Sequence, residues 1–175
     1  GYSLYVGIPF CPSICLYCSF SSSPIKLWEK RVEDYLDALF KELEFIGKAC
    51  AGRRLNTVYV GGGTPTTLNA SQLDRLLSCI EENFDFSDLK ELTVEAGRPD
   101  SVSPEKFRVL KEHEVTRISI NPQTMNQKTL DLIGRKHTAD QIKEAFHMAR
   151  EAGFDNINMD LIVGLPGEGI EDVRH

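Results

Sequence analysis

The sequence predicts an α/β fold with a parallel sheet, on three observations. Short apolar runs alternate with longer amphipathic stretches along the whole chain, glycine or proline stops the first, second and fifth runs, and helix-capping residues open several of the stretches that follow. Leu4-Tyr5-Val6-Gly7-Ile8 reads as the first strand, ended by Pro9. Arg31 to Lys48 places Val32, Tyr35, Leu36, Leu39, Phe40, Leu43 and Ile46 at three- and four-residue spacing, a helical stripe. Thr57 to Val60 is the second strand, stopped by three glycines, and Ser71 to Ile80 is the second helix with Ser71 as its expected N-cap. Glu91 to Glu95 forms the third strand. Ser103-Pro104-Glu105 then opens a helix with a capping hydroxyl and proline at the first helical position. Arg117 to Ile120 is the fourth strand, followed by the helix-like Gln127 to Ile133 and by Asp140 to Ala152, which Gly153 closes. Asn156 to Val163 is the fifth strand, broken by Gly164-Leu165-Pro166-Gly167. Strands joined through helices imply right-handed βαβ crossovers.

With 175 residues and no linker or low-complexity tract, one domain spanning 1–175 is expected. The chain stops where another helix should begin, at Ile170-Glu171-Asp172, and Gly1-Tyr2 stands directly before a strand. It therefore reads as a fragment of a larger protein, cut after the fifth strand. A hydrophobic fraction of 41% with 26% charged residues is that of a globular protein, and no run is apolar enough to span a bilayer. The net charge of −6 argues against a nucleic-acid footprint. Five cysteines is an odd number, and clustered thiols without a secretion signal point to a reducing compartment, hence the cytoplasm.

Cys11, Cys15 and Cys18 carry the chemistry. Their C-x3-C-x2-C spacing directly follows the first strand, where α/β barrels place their active sites. An iron–sulfur cubane takes four ligands, so three thiolates with no fourth nearby leave one iron open. From the triplet alone, zinc completed by a distant ligand and three unrelated buried thiols remain alternatives. Cys50 and Cys79 lie in or at the end of helices and read as small packing residues. Asp160, set among Met159, Leu161 and Ile162, is a costly charge unless it is paired or faces a polar cavity.

Six segments recur together in one known group: Tyr5-Val-Gly-Ile-Pro-Phe-Cys11 with the cysteine triplet, Val60-Gly-Gly-Gly-Thr-Pro-Thr66, Thr93-Val-Glu95-Ala, Arg117-Ile-Ser-Ile, Gly134-Arg135-Lys-His137, and Asn158-Met-Asp160-Leu-Ile-Val-Gly-Leu-Pro-Gly167. In that order they resemble the oxygen-independent coproporphyrinogen III oxidase/dehydrogenase-like group of radical S-adenosylmethionine (SAM) proteins, over nearly the whole chain. The resemblance implies a partial (β/α)6 barrel, a [4Fe–4S] cluster on Cys11, Cys15 and Cys18, and SAM chelated to the open iron. It also implies reductive cleavage of SAM to a 5′-deoxyadenosyl radical and oxidative decarboxylation of coproporphyrinogen III to protoporphyrinogen IX. A flavodoxin- or ferredoxin-like electron donor would serve it. Relatives in the group include heme chaperones that keep the same core.

By the same resemblance Gly62, Gly63 and Thr64 meet the methionine part of SAM, Arg135 its carboxylate, and Glu95 its hydroxyl or amino groups. Gln123 and Asp160 are carried over as further SAM contacts, with Tyr5 and Tyr17 nearby. His137 is a candidate proton donor, although a structural role is the simpler reading. Gly7 stands where many members carry histidine. Gly97-Arg-Pro-Asp100 and Asn121-Pro-Gln123 follow the wording of a branch described as coproporphyrinogen dehydrogenase.

Overall fold

Side chains alternate across a strand, so each apolar run must choose which residues it turns toward the helices. The computed structural model describes residues 1–174 and shows that choice made consistently. β1 (Tyr2–Ile8), β4 (Leu55–Gly62), β5 (Glu91–Glu95), β6 (Arg117–Ser119) and β7 (Ile157–Asn158) form one sheet in the order β1-β4-β5-β6-β7, every pair parallel. The register aligns Leu4, Val58 and Leu92 in one row and Val6, Val60, Val94 and Ile118 in the next. All of these are buried. The opposite parity places Tyr5 beside Tyr59 and Thr93, and Glu95 beside Ser119, on the other face.

The helices cover the apolar face. α1 (Val32–Ala49) buries Val32, Leu36, Leu39 and Leu43; α2 (Ala70–Asn83) buries Leu73, Leu76, Leu77 and Ile80. α3 (Pro104–Glu112) and α5 (Ala139–Glu151) continue the layer with Phe107, Leu110, Ala145 and Ala149. Ser103 caps α3 through its hydroxyl, as its sequence predicts. Two shorter helices, α4 (Gln127–Leu132) and α6 (Ile170–Arg174), follow β6 and β7.

Three local expectations are corrected. α2 begins one residue earlier than the sequence predicts, and Asn69 rather than Ser71 is its cap. Asn69 Oδ1 accepts from Gln72 N and Gln72 Oε1 accepts from Asn69 N, each at 2.9 Å, satisfying two free N–H groups at once. The fifth strand is far shorter than Asn156 to Val163. Its partner β6 ends before Pro122, which has no N–H to give, and pairing returns only as a single bridge from Gln123 to Leu161. Asp160 is consequently exposed and outside the strand, with Met159 and Leu161 exposed beside it, so it is not a charge enclosed by apolar neighbours.

A feature with no signal in the periodicity completes the fold. β2 (Phe10–Cys11) pairs with β3 (Ser23–Pro24), closing the cysteine segment into a loop over the strand ends. Among the described residues no helix is long and apolar enough to cross a membrane.

Candidate active site

The strand ends converge on a cavity of about 380 Å³, within the roughly 300–1,000 Å³ of small-molecule sites. Cys11, Cys15 and Cys18 line one side, each partly exposed and none in a disulfide. A wider groove of about 800 Å³ between α1 and α2 is lined largely by charged helix surface, including Asp37, Lys41, Glu44 and Lys48. No set of polar groups from different strand ends converges there, so the cavity over the sheet is the better candidate.

The glycine turn forms the adjoining wall. Gly62 has φ of +109°, a conformation L side chains rarely adopt, and a Cβ on Gly63 would lie 2.6 Å from Phe10 O and 3.0 Å from Cys11 Sγ. Glycine here lets the turn pack directly against the cysteine loop. Gly63 N donates to Ile8 O and Thr64 N to Phe10 O, both at 2.7 Å, and the Thr64 hydroxyl donates to Cys11 Sγ at 3.5 Å.

Glu95 closes β5 and accepts from the Tyr59 hydroxyl at 2.6 Å. Burial pushes its carboxyl above the usual range and Asp160 adds to this, against the hydrogen bonds from Tyr59 and the Gly62 backbone. Asp160 lies across the cavity and accepts from Asn158 Nδ2 at 2.8 Å. Between them Gln123 sits at φ of +67°, locked by Gln123 N to Asp160 O and Ile162 N to Gln123 O at 3.0 and 2.9 Å. A non-glycine residue held there stores strain, as binding sites often do.

Arg135 enters from the loop after α4 and is 6% exposed. Its Nη1 donates to Gly97 O and Asn121 O at 3.2 and 3.1 Å, and Nη2 donates to the Tyr17 hydroxyl at 3.0 Å. One guanidinium thus joins the ends of β5 and β6 to the cysteine loop. Its Nε and the nearby Asn121 Oδ1 are buried without a partner, a donor and an acceptor that a ligand could satisfy.

His137 is fully buried with neither ring nitrogen partnered. Burial, reinforced by Arg135 and Arg98 and opposed by Asp100, holds its pKa down to about 4. It is therefore neutral near pH 7, and it is not among the residues that line the cavity. Tyr5, 62% exposed and stacked on Tyr59 at 6.0 Å, lies outside the residues that line the cavity. The three cysteines and every other residue expected to contact SAM line it, whereas His137 does not. Sequence reasoning missed Arg98, Asn121 and Tyr59; a charged residue in Gly97-Arg98-Pro99 straight after a strand was the available signal for the first.

The donor set fits an iron–sulfur group with an amphoteric ligand. Three thiols stand on one side, with two guanidinium groups and two carboxylates around the rest. Among the described residues no three His, Cys, Asp or Glu side chains gather about one point as a single ion requires; in a cubane each thiolate takes its own iron.

Comparison with known proteins identifies the family. The family model of the radical SAM superfamily matches residues 5–175. The chain is 45% identical to the Bacillus subtilis oxygen-independent coproporphyrinogen-III oxidase-like protein HemZ, over 99% of this chain and 35% of that protein. It is 41% identical to the heme chaperone HemW of Lactococcus lactis, over 98% of this chain and 44% of that one. The solved structure of coproporphyrinogen III oxidase (HemN) from Escherichia coli superposes with a TM-score of 0.87 at 33% identity, covering 98% of this chain and 39% of that one. The chain thus spans well under half the length of these relatives. It belongs to the radical SAM superfamily, whose members work with a [4Fe–4S] cluster and S-adenosylmethionine.

Proposed function

We propose that this chain is the radical-generating core of an enzyme that oxidatively decarboxylates coproporphyrinogen III to protoporphyrinogen IX. The observation that carries the reading is one cavity in which three thiols face both carboxylates and guanidinium groups. The names of two relatives, a coproporphyrinogen III oxidase and a coproporphyrinogen-III oxidase-like protein, support this choice of substrate. Cys11, Cys15 and Cys18 would hold three irons of the cluster and leave the fourth open to SAM. When bound, the cluster would supply the one electron for reductive cleavage of SAM.

The protein's own part is to orient and to exclude water. The N–H groups of Gly63 and Thr64 are already spent on Ile8 and Phe10, so the turn offers carbonyl oxygen to the SAM ammonium. Arg135, with its free Nε, directs the methionine carboxylate. Glu95, Gln123 and Asp160 take the ribose hydroxyl or amino groups, and Tyr17, fixed by Arg135, covers the cysteine side. Tyr5 stands on the same sheet face and contacts substrate or cofactor only from the cavity's margin. A flavodoxin- or ferredoxin-like donor in the cytoplasm delivers the electron.

The HemW name of a 41% identical relative favours a second reading, a heme carrier that keeps the radical SAM core. Anaerobic incubation of the reduced full-length protein with SAM and coproporphyrinogen III separates the two. Protoporphyrinogen IX formed as SAM is consumed is the expected result. Stoichiometric heme binding, with coproporphyrinogen left unchanged, would favour the carrier.

A further inference from the structure

Arg98 is the most enclosed charged side chain in the cavity wall, 3% exposed. Its Nε and Nη2 donate to the two oxygens of Asp100 at 2.9 and 2.8 Å, a fork on a carboxylate. The other donors reach into the cysteine loop. Nη1 meets Ser13 O at 3.2 Å and Cys15 Sγ at 3.7 Å, while Nη2 meets Ser13 Oγ at 3.2 Å. Behind it, Ser101 Oγ donates to Arg98 O at 2.7 Å and shares a 2.6 Å hydrogen bond with Thr66. Lys106 Nζ donates to Thr66 O and Ser101 O at 2.6 and 2.7 Å. One buried network therefore ties the cysteine loop, the turn after β5 and the glycine turn together.

We propose that Arg98 is a positioning residue for the iron–sulfur cluster, holding the Ser13–Cys15 stretch and directing an N–H at Cys15 Sγ so that the cluster is easier to reduce. The proposal rests on the reading of Cys15 as a cluster ligand. Reduction adds negative charge that the cluster sulfurs share, and hydrogen bonds to those sulfurs raise the potential. Asp100 balances the guanidinium charge, so the effect comes from N–H dipoles aimed at sulfur rather than from net charge.

The test uses full-length protein, reconstituted anaerobically, with iron and sulfide counted and the reduced cluster titrated against potential by electron paramagnetic resonance. Changing both partners, Arg98→Gln with Asp100→Asn, avoids burying an unpaired carboxylate and keeps the net charge. The expected result is a loaded cluster whose reduced-to-oxidised ratio at a given potential falls about tenfold, a shift of ~59 mV to the negative for one electron. A loaded double variant with the wild-type midpoint overturns the proposal. If the double variant does not fold, Ser13→Ala carries the test, since it leaves the guanidinium and Asp100 in place. Several-fold faster loss of iron to a chelator, at an unchanged midpoint, supports the anchoring role; loss at the wild-type rate overturns it. Wild-type protein that takes up no cluster would overturn the ligand reading itself, and this proposal with it.

Discussion

Along β4, β5 and β6 the two faces of one sheet meet opposite surroundings. Val58, Val60, Val94 and Ile118 point into the helical layer and are fully enclosed. One residue along, Tyr59, Glu95 and Ser119 face the other way; Glu95 reaches the cavity and Tyr59 holds its carboxylate. The outer face gains stability by burying apolar area, so its residues are set by volume. The inner face carries polar groups instead; Ser119 Oγ and Asn121 Oδ1 are buried there without a hydrogen-bond partner, and Asn121 lines the cavity. Stability and chemistry are thus separated by a single residue step along the same strand.

Four substitutions would sharpen or break that division. Cys15→Ala, on the cavity side, should abolish cluster loading and all SAM cleavage while costing only about 1 kcal/mol of unfolding free energy in the metal-free protein, where it removes one hydrogen bond from Arg98. Iron content and 5′-deoxyadenosine measured beside a denaturant titration check both halves. Ile118→Ala, on the helix side, should cost about 2–5 kcal/mol through a cavity in the layer and leave the thiols able to load in whatever protein stays folded. Gly63→Ala falls between the two. Its Cβ would press on Phe10 O and Cys11 Sγ, so about 1–3 kcal/mol of strain should appear together with reduced iron loading. A variant that loads fully and unfolds like wild type would show that the turn does not support the cysteine loop.

The smallest effect lies away from the sheet. His113, after α3, bonds Glu81 and Asp74 of α2 at 2.9 and 3.0 Å. Burial alone would lower its pKa, but the two carboxylates outweigh it and raise it. The stability it contributes is therefore complete below the unfolded value near 6.5 and is lost as pH rises through the raised folded value. His113→Gln should cost about 1 kcal/mol at pH 6 and less at pH 9, because both carboxylate partners are largely solvated. A cost independent of pH would mean that the histidine acts only by packing.

Much of this arrangement was legible in the chain itself. Short apolar runs and helical spacings identify the five strands of the sheet and the covering helices, because both reflect the same apolar layer. The cysteine spacing marks the site because its ligands are close in sequence. What escaped depends on contacts between distant segments. The β2–β3 pairing joins residues 10–11 to 23–24 through backbone groups that no side-chain pattern reports. Arg98 gains its meaning only when Ser13 and Cys15 fold back onto it. The fifth strand was overcalled because Ile157, Leu161, Ile162 and Val163 look like a buried run, although Pro122 in the neighbouring segment ends the pairing. The same shortening left Asp160 in the open, where a charge costs little.

The most direct test of the central claim is anaerobic reconstitution, with iron, sulfide and zinc counted and 5′-deoxyadenosine assayed after dithionite reduction in the presence of SAM. The account predicts four irons and four sulfides per chain, as a cubane requires, and deoxyadenosine formation that depends on the reductant. Equimolar zinc with negligible iron and sulfide, and no deoxyadenosine, would contradict it.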